Sequence, residues 1–218
     1  MVQLCEKWKP KQFADIVGQV DTVKSVEFLA KRGLGGNSFW FSGLSGTGKT
    51  CFADLIALHV AGDVDCVDSI DAGDCTINAY DAWRSKVRCK PMFGTGYAFV
   101  VNEAHLLKKG VVSQLLTRLE PGKIPDYATV VFTTTLEGEI KLFDDAMDIS
   151  PLMSRGKCYK LESRGPKLEL AFACHLRKIA DSEGLGGKAI ADFVSLVREC
   201  KFNLRQALQR IETGEMIP

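Results

Sequence analysis

Short continuous apolar runs alternate along this chain with segments whose apolar residues recur every three or four positions. Ser38-Phe39-Trp40-Phe41-Ser42, Tyr97-Ala98-Phe99-Val100-Val101 and Thr129-Val130-Val131-Phe132-Thr133-Thr134 are of the first kind and read as buried strands. Asp63 to Asp71 alternates polar and apolar residues and reads as a further strand, and Lys157-Cys158-Tyr159-Lys160-Leu161 as a fifth. Between them the period changes. Asp21 can cap a helix to about Arg32 with Val23, Val26, Phe28 and Leu29 on its apolar side, and Gly33, Gly35 and Gly36 end it. Residues 51–60 and 77–88 have helical spacing, the second through Tyr80, Trp83 and Val87. So does the stretch from Lys108 to Leu119, stopped by Glu120-Pro121-Gly122. Residues 136–150 read as a mixed loop with a short helix. Strands alternating with helices predict a mainly parallel sheet covered on both faces. Beyond a boundary near Glu162–Gly165 the pattern is wholly helical. Leu168 to Ile179, Ala189 to Val197 and Leu204 to Ile211 predict three helices, which divides the chain into a core of 1–163 and a small subdomain of 164–218.

The link between the first buried strand and the helix after it is Gly43-Leu44-Ser45-Gly46-Thr47-Gly48-Lys49-Thr50. A glycine, four free positions and Gly-Lys-Thr between a strand and a helix form a phosphate-binding pattern. Gly43, Gly46 and Gly48 allow backbone angles that turn successive N–H groups inward on a polyphosphate. The helix that follows points unpaired N–H groups and its positive end at the same anion. Lys49 is suited to bridge terminal phosphates and the Thr50 hydroxyl to bind Mg²⁺. Ser45, Thr47 and Cys51 complete the candidate nucleotide-binding set in this stretch.

Composition narrows the picture without redirecting it. The 218 residues carry a net charge of +1, so nucleic-acid contact would need a local patch rather than a global field. Arg84, Lys86, Arg88 and Lys90 form the best local candidate, although a solvated basic face explains them equally well. The eight cysteines include no Cys-x-x-Cys pair, and Cys66, Cys75 and Cys89 are too loosely spaced for a zinc ribbon. No signal peptide or long apolar run is evident, which points away from a membrane and towards reduced thiols in a cytoplasmic setting, or a host cytoplasm for a viral protein.

A second nucleotide-site signal is Phe99-Val100-Val101-Asn102-Glu103-Ala104-His105, a hydrophobic strand ending in polar residues. An ATPase needs one group there to help hold Mg²⁺ and a carboxylate to polarise the attacking water. Glu103 suits the second role. Asn102 brings no negative charge to the first.

With these residues in view, the chain resembles the AAA+ ATPase core of the clamp-loader group, which includes the bacterial polymerase III gamma/tau subunit and the small subunits of replication factor C. The likeness spans nearly the whole chain. Lys7-Trp8-Lys9-Pro10 with Phe13-Ala14-Asp15-Ile16-Val17-Gly18-Gln19 is similar to the family's opening arm, and Phe41 to Thr50 to its phosphate loop. Asn102 to Leu107, then Leu115-Leu116 and Leu119-Glu120-Pro121, resembles its Asp-Glu-Ala-His stretch and the helix after it, and Ser154-Arg155 its Ser-Arg-Cys motif. The resemblance implies a P-loop AAA+ core with a five-stranded, mainly parallel sheet, followed by a helical lid. It implies that Pro10, Val17 and Gly18 line an adenine pocket and that Thr134 or Thr135 is the polar sensor between γ-phosphate and water. Arg205 would be the lid arginine and Arg155 the finger that reaches a neighbouring subunit's ATP. It also implies ATP and Mg²⁺ as cofactors, and other AAA+ subunits, a sliding clamp and primed DNA as partners.

The departures from the family pattern shape the functional expectation. Asn102 stands where the family has aspartate, Gly156 where it has cysteine, and Lys9 where the arm usually has arginine. The cysteines do not reproduce the bacterial gamma zinc module. The chain ends at Pro218 just after the lid helices, whereas members continue into a helical collar. The leading expectation is an ATP-dependent loader or remodeller of a replication complex, with ATP held between core and lid. The runner-up is an ATP-binding switch or scaffold that hydrolyses slowly because of Asn102. An AAA+ adaptor that works without DNA is a third class.

Overall fold

A computed structural model describes residues 2–120, 122–135 and 153–218. The expected short helix of 136–150 therefore lies outside the described residues, as does Pro121. Contacts divide the chain into two units. One takes Ser25–Gly43 and Lys49–Lys160; the other takes the chain up to Lys24, Leu44–Gly48 and Leu161–Pro218.

The first unit is built on five parallel strands: β1 (Asn37–Gly43), β2 (Val67–Asp71), β3 (Tyr97–Asn102), β4 (Ala128–Thr135) and β5 (Lys157–Lys160). Their order across the sheet is β2-β3-β4-β1-β5. β4 is thus inserted between β1 and β3, pairing Phe41 with Thr133 on one side and Val101 with Phe132 on the other. The strands with neighbours on both sides are buried almost throughout, as continuous apolar runs should be. The edge strands β2 and β5 are short and alternate with solvent.

Helices α2 (Val20–Ala30), α3 (Lys49–Ala61), α4 (Ile77–Lys86) and α5 (Lys109–Arg118) connect the strands, after a first one-turn helix α1 (Leu4–Lys7). On one sheet face Tyr80 and Trp83 of α4 pack with Phe99, and Val111, Val112 and Leu115 of α5 join them around Trp40, Val130 and Phe132. Phe41 stacks on Phe52 of α3 and on Tyr159 of β5, with ring centroids 5.1 and 5.2 Å apart.

One strand starts later than its alternation suggests. Asp63 accepts the Asp65 N–H at 3.0 Å, which winds Val64–Cys66 into a 3-10 turn and delays β2 to Val67. A short carboxylate that bonds the backbone two residues on competes with the ladder, and here it wins.

The second unit is helical: α6 (Pro166–Ser182), α7 (Ile190–Glu199) and α8 (Leu204–Glu212). Phe172, Leu176, Phe193, Leu196, Ala207 and Ile211 form its core, joined by Leu4 of the opening arm. The arm is fastened to this unit by specific bonds. Trp8 Nε1 and Lys7 Nζ donate to the two oxygens of Glu183, each at 2.7 Å. The buried Gln19 amide donates to Glu162 O and accepts from Glu162 N.

Candidate nucleotide-binding and catalytic residues

The phosphate-loop residues show how the sequence shapes this turn. Gly46 and Gly48 hold φ of +78° and +101°, the left-handed region that glycine enters without penalty. A Cβ on Gly46 would collide with the Asn203 side chain and lie 2.8 Å from the Asn203 Cα. Asn203 is the N-cap of α8, its Oδ1 accepting from Gln206 N at 3.2 Å. The loop therefore meets the N-terminus of the lid helix that carries Arg205, an exposed residue in its first turn. Thr47 is buried, and its hydroxyl donates to Leu44 O at 2.8 Å; Leu44 N donates to Ser163 Oγ. Ser45 is exposed.

Gly43 closes β1, and α3 opens at Lys49. The Lys49 side chain is 6% exposed and its amine donates to Gly43 O at 3.1 Å. A buried ammonium needs oxygen partners, and terminal phosphates can supply stronger ones than a carbonyl. Thr50, exposed, and Cys51, half-buried, follow in the first turn of α3, whose N–H groups have no intrahelical acceptor. Of the expected adenine-side residues, Pro10, Val17 and Gly18 are all half-buried. Gly18 sits at φ +77° with its Cα face closed by Leu168 and Phe172 of α6.

The carboxyl ends of β2, β3 and β4 gather the remaining chemistry. Asn102 is engaged at both ends of its amide: Nδ2 donates to Ser69 Oγ at 3.2 Å, and Oδ1 accepts from Thr133 Oγ1 at 3.3 Å. Glu103 follows in a left-handed conformation, φ 51° and ψ 47°, with its N–H donating to Thr133 Oγ1 at 3.4 Å. For a residue with a Cβ that conformation costs about 1–2 kcal/mol. It aims a half-exposed carboxylate away from the strand. His105 Nδ1 lies 3.4 Å from Glu103 Oε2 and 3.3 Å from the hydroxyl of Thr134, which is fully buried. Thr133, Ser69, Asn203 and His105 are contacts the sequence did not single out. His105 alone had a local signal, two residues beyond the glutamate.

Arg155 lies at the other end of the sheet. Its backbone oxygen accepts from Ser38 Oγ at 3.3 Å, beside the start of β1 and β5. Ser38 and Gly43 are five steps apart on β1, about 16 Å. Arg155 and Glu103 thus occupy opposite edges of the same sheet. Of the basic cluster, Lys86 pairs with Asp68 at 2.9 Å and Lys90 lies over the Tyr127 ring, while Arg84 and Arg88 are exposed.

The donor set fits Mg²⁺ that arrives with nucleotide. Thr50 and Asn102 offer neutral oxygens, and Mg²⁺ commonly takes much of its coordination from substrate phosphates and water.

Comparison with known proteins places the chain. It is 29% identical over 158 residues to the DNA polymerase III subunit tau/gamma of Haemophilus influenzae, covering 61% of this chain and 22% of that protein. It is 25% identical over 200 residues to the tau subunit of Bacillus subtilis, covering 82% and 33%. The gamma/tau subunit of Mycoplasma pneumoniae is 33% identical over 155 residues, covering 61% and 22%. The chain is homologous to the DNA polymerase III tau/gamma subunits. It spans about a fifth to a third of the length of these relatives. No protein-family model matches it. Among solved structures, the Thermotoga maritima RuvB Holliday junction branch migration motor superposes with a TM-score of 0.68 at 21% identity, covering 94% of this chain and 64% of that one. A point mutant of the same RuvB gives 0.70 at 18% identity, covering 94% and 65%. The tau/gamma homologue thus has the AAA+ fold: the parallel sheet with β4 inserted between β1 and β3, flanked by helices. No described helix is long and apolar enough to cross a membrane.

Proposed function

We propose that this chain is an ATP-binding AAA+ subunit of clamp-loader type, which uses nucleotide binding and hydrolysis to load or remodel a DNA replication complex in the cytoplasm. Its partners on this reading are other AAA+ subunits, a sliding clamp and primed DNA. One observation carries the proposal. In a homologue of the tau/gamma subunits, a glycine loop holds its left-handed turns next to a buried lysine whose amine rests on the loop's own carbonyl.

Each residue then has a task. Gly43 to Cys51 hold the phosphates through backbone N–H groups and Lys49, with Thr50 and Asn102 towards Mg²⁺. Pro10, Val17 and Gly18 take the adenine side. Glu103 accepts a proton from the attacking water, Thr134 reads the γ-phosphate, and Arg205 closes on the phosphates when nucleotide is bound. Arg155 serves the site of a neighbouring subunit.

A second reading, an ATP-bound switch with slow turnover, is favoured by the engagement of Asn102. An amide already shared between Ser69 and Thr133 has one lone pair left for a metal-bound water, and no charge.

Calorimetry with MgATP tests the core of the proposal. Lys49→Ala should abolish measurable binding, and unchanged affinity would remove the phosphate-site assignment. ATPase rates with and without primed DNA and a sliding clamp separate the two readings. Strong stimulation marks the loader; tight binding without turnover in the assembled complex marks the switch.

A further inference from the structure

His105 has a place in neither the phosphate grip nor the metal set, yet it stands between the two groups that hydrolysis would use. Its Nδ1 is 3.4 Å from Glu103 Oε2 and 3.3 Å from Thr134 Oγ1. Hydrogen counting settles which way these bonds run. The Thr134 hydroxyl donates to Thr135 O at 3.3 Å, so towards His105 its oxygen accepts. An ionised Glu103 can only accept. Both partners call for hydrogen on Nδ1, and a single N–H is shared between them. The ring is mostly buried, its side chain 18% exposed, and Thr134 is fully buried. The carboxylate, by contrast, is 44% exposed on a side chain with several free torsions. Without a tether, it would sample many directions.

We infer that His105 is a positioning residue: an Nδ1–H imidazole that ties the Glu103 carboxylate to the Thr134 hydroxyl, so that the threonine facing the nucleotide also sets where the base points. The inference rests on the reading of Glu103 as base and Thr134 as sensor. Holding Oε2 leaves Oε1 to take the proton from water, which is the geometry that general-base action needs. When the Thr134 hydroxyl turns towards a phosphate oxygen, its share of the Nδ1–H passes to Glu103. The base is then drawn into one orientation only when the sensor is engaged.

The tautomer can be read directly on the full chain. With three histidines, His59→Gln and His175→Gln assign the long-range nitrogen–proton correlations of the His105 ring. Wild type should show the Nδ1–H form, and Glu103→Ala combined with Thr134→Val should lose it. An Nε2–H ring in the wild type, or no change in the double variant, overturns the inference. Kinetics supply a second readout. His105→Ala should lower kcat at least about tenfold, as misplacement of a catalytic group does, with MgATP affinity unchanged. His105→Asn, which can present an amide N–H near the position of Nδ1–H, should recover much of the loss, and His105→Phe should not. The reverse order would mean that the ring only fills space, and would also overturn the inference. If wild type binds MgATP but shows no turnover in its assembly, the hydrolysis reading fails on its own and the tautomer decides the inference alone.

Discussion

At the scale of single residues, Asn102 is where the sequence departs most from its family and where the structure says most about the consequence. Its amide bridges β2 to β4 through Ser69 and Thr133, so the side chain is held rather than loose. An aspartate fits the same frame. Thr133 can still donate to it, and the Ser69 hydroxyl can turn from acceptor to donor. Asn102→Asp therefore restores a negative charge without leaving a polar atom unpaired. Mg²⁺-dependent turnover should rise, by about tenfold if the charge is worth a little over 1 kcal/mol in the transition state. A flat or lower kcat in a steady-state assay at saturating MgATP would mean that charge at this position does not limit the rate. The phosphate loop and the Asn102-Glu103 pair were legible because their chemistry is written in adjacent positions. The His105–Thr134 contact was not. It depends on β3 and β4 standing side by side, 29 residues apart along the chain, and no local spacing encodes that register. The Gly46–Asn203 contact is hidden for the same reason, since a glycine's need for room shows only once its neighbour is known.

At the scale of elements, the periodicities located all five strands and the lid helices, because central strands and amphipathic helices have distinct hydrophobic periods. They missed the start of β2, where one aspartate redirected the backbone, and they did not show what the opening arm is fastened to. That fastening is largely polar, and hydrophobic patterning does not report polar bonds. Glu183 is its centre, accepting from Lys7 and Trp8. These two bonds, Lys7 first, hold the Glu183 carboxyl below its ordinary value. A depressed carboxylate contributes stability that is complete above the unfolded value of about 4.3 and is lost as pH falls through the folded one. Amide exchange at residues 4–8, corrected for intrinsic rates, should accelerate as pH is lowered from 6 to 3. Glu183→Gln should show the faster exchange already at pH 6 and lose most of the acid step, because its amide still accepts from Trp8 but carries no charge for Lys7. An acid step of equal size in the variant would place the pH sensitivity elsewhere.

For the whole molecule, the placement of Arg155 implies a need for company. The strand ends that hold Lys49, Glu103 and Thr134 face one edge of the sheet, and Arg155 stands at the opposite edge, about 16 Å away along β1. A rigid five-stranded sheet does not fold back on itself, so Arg155 cannot reach the Glu103 of its own chain. A second subunit in a head-to-tail arrangement can bring one edge against the other, which is the heterologous geometry that closes into rings. Arg155→Ala should then cost about 10³–10⁵ in rate while leaving MgATP affinity intact, as loss of an arginine finger does. Lys49→Ala should be equally silent for the opposite reason, since its site holds no nucleotide but its Arg155 is present. Mixing the two inactive variants supplies sites that bind and neighbours that assist. Roughly a quarter of the wild-type rate should return at equal amounts, because each working site needs one subunit of each kind in the right order. Native mass measurement on the same mixture confirms that the two kinds share an assembly. If mixed assemblies form and the rate does not recover, Arg155 does not act across the interface, and the edge of the sheet that carries it has another use.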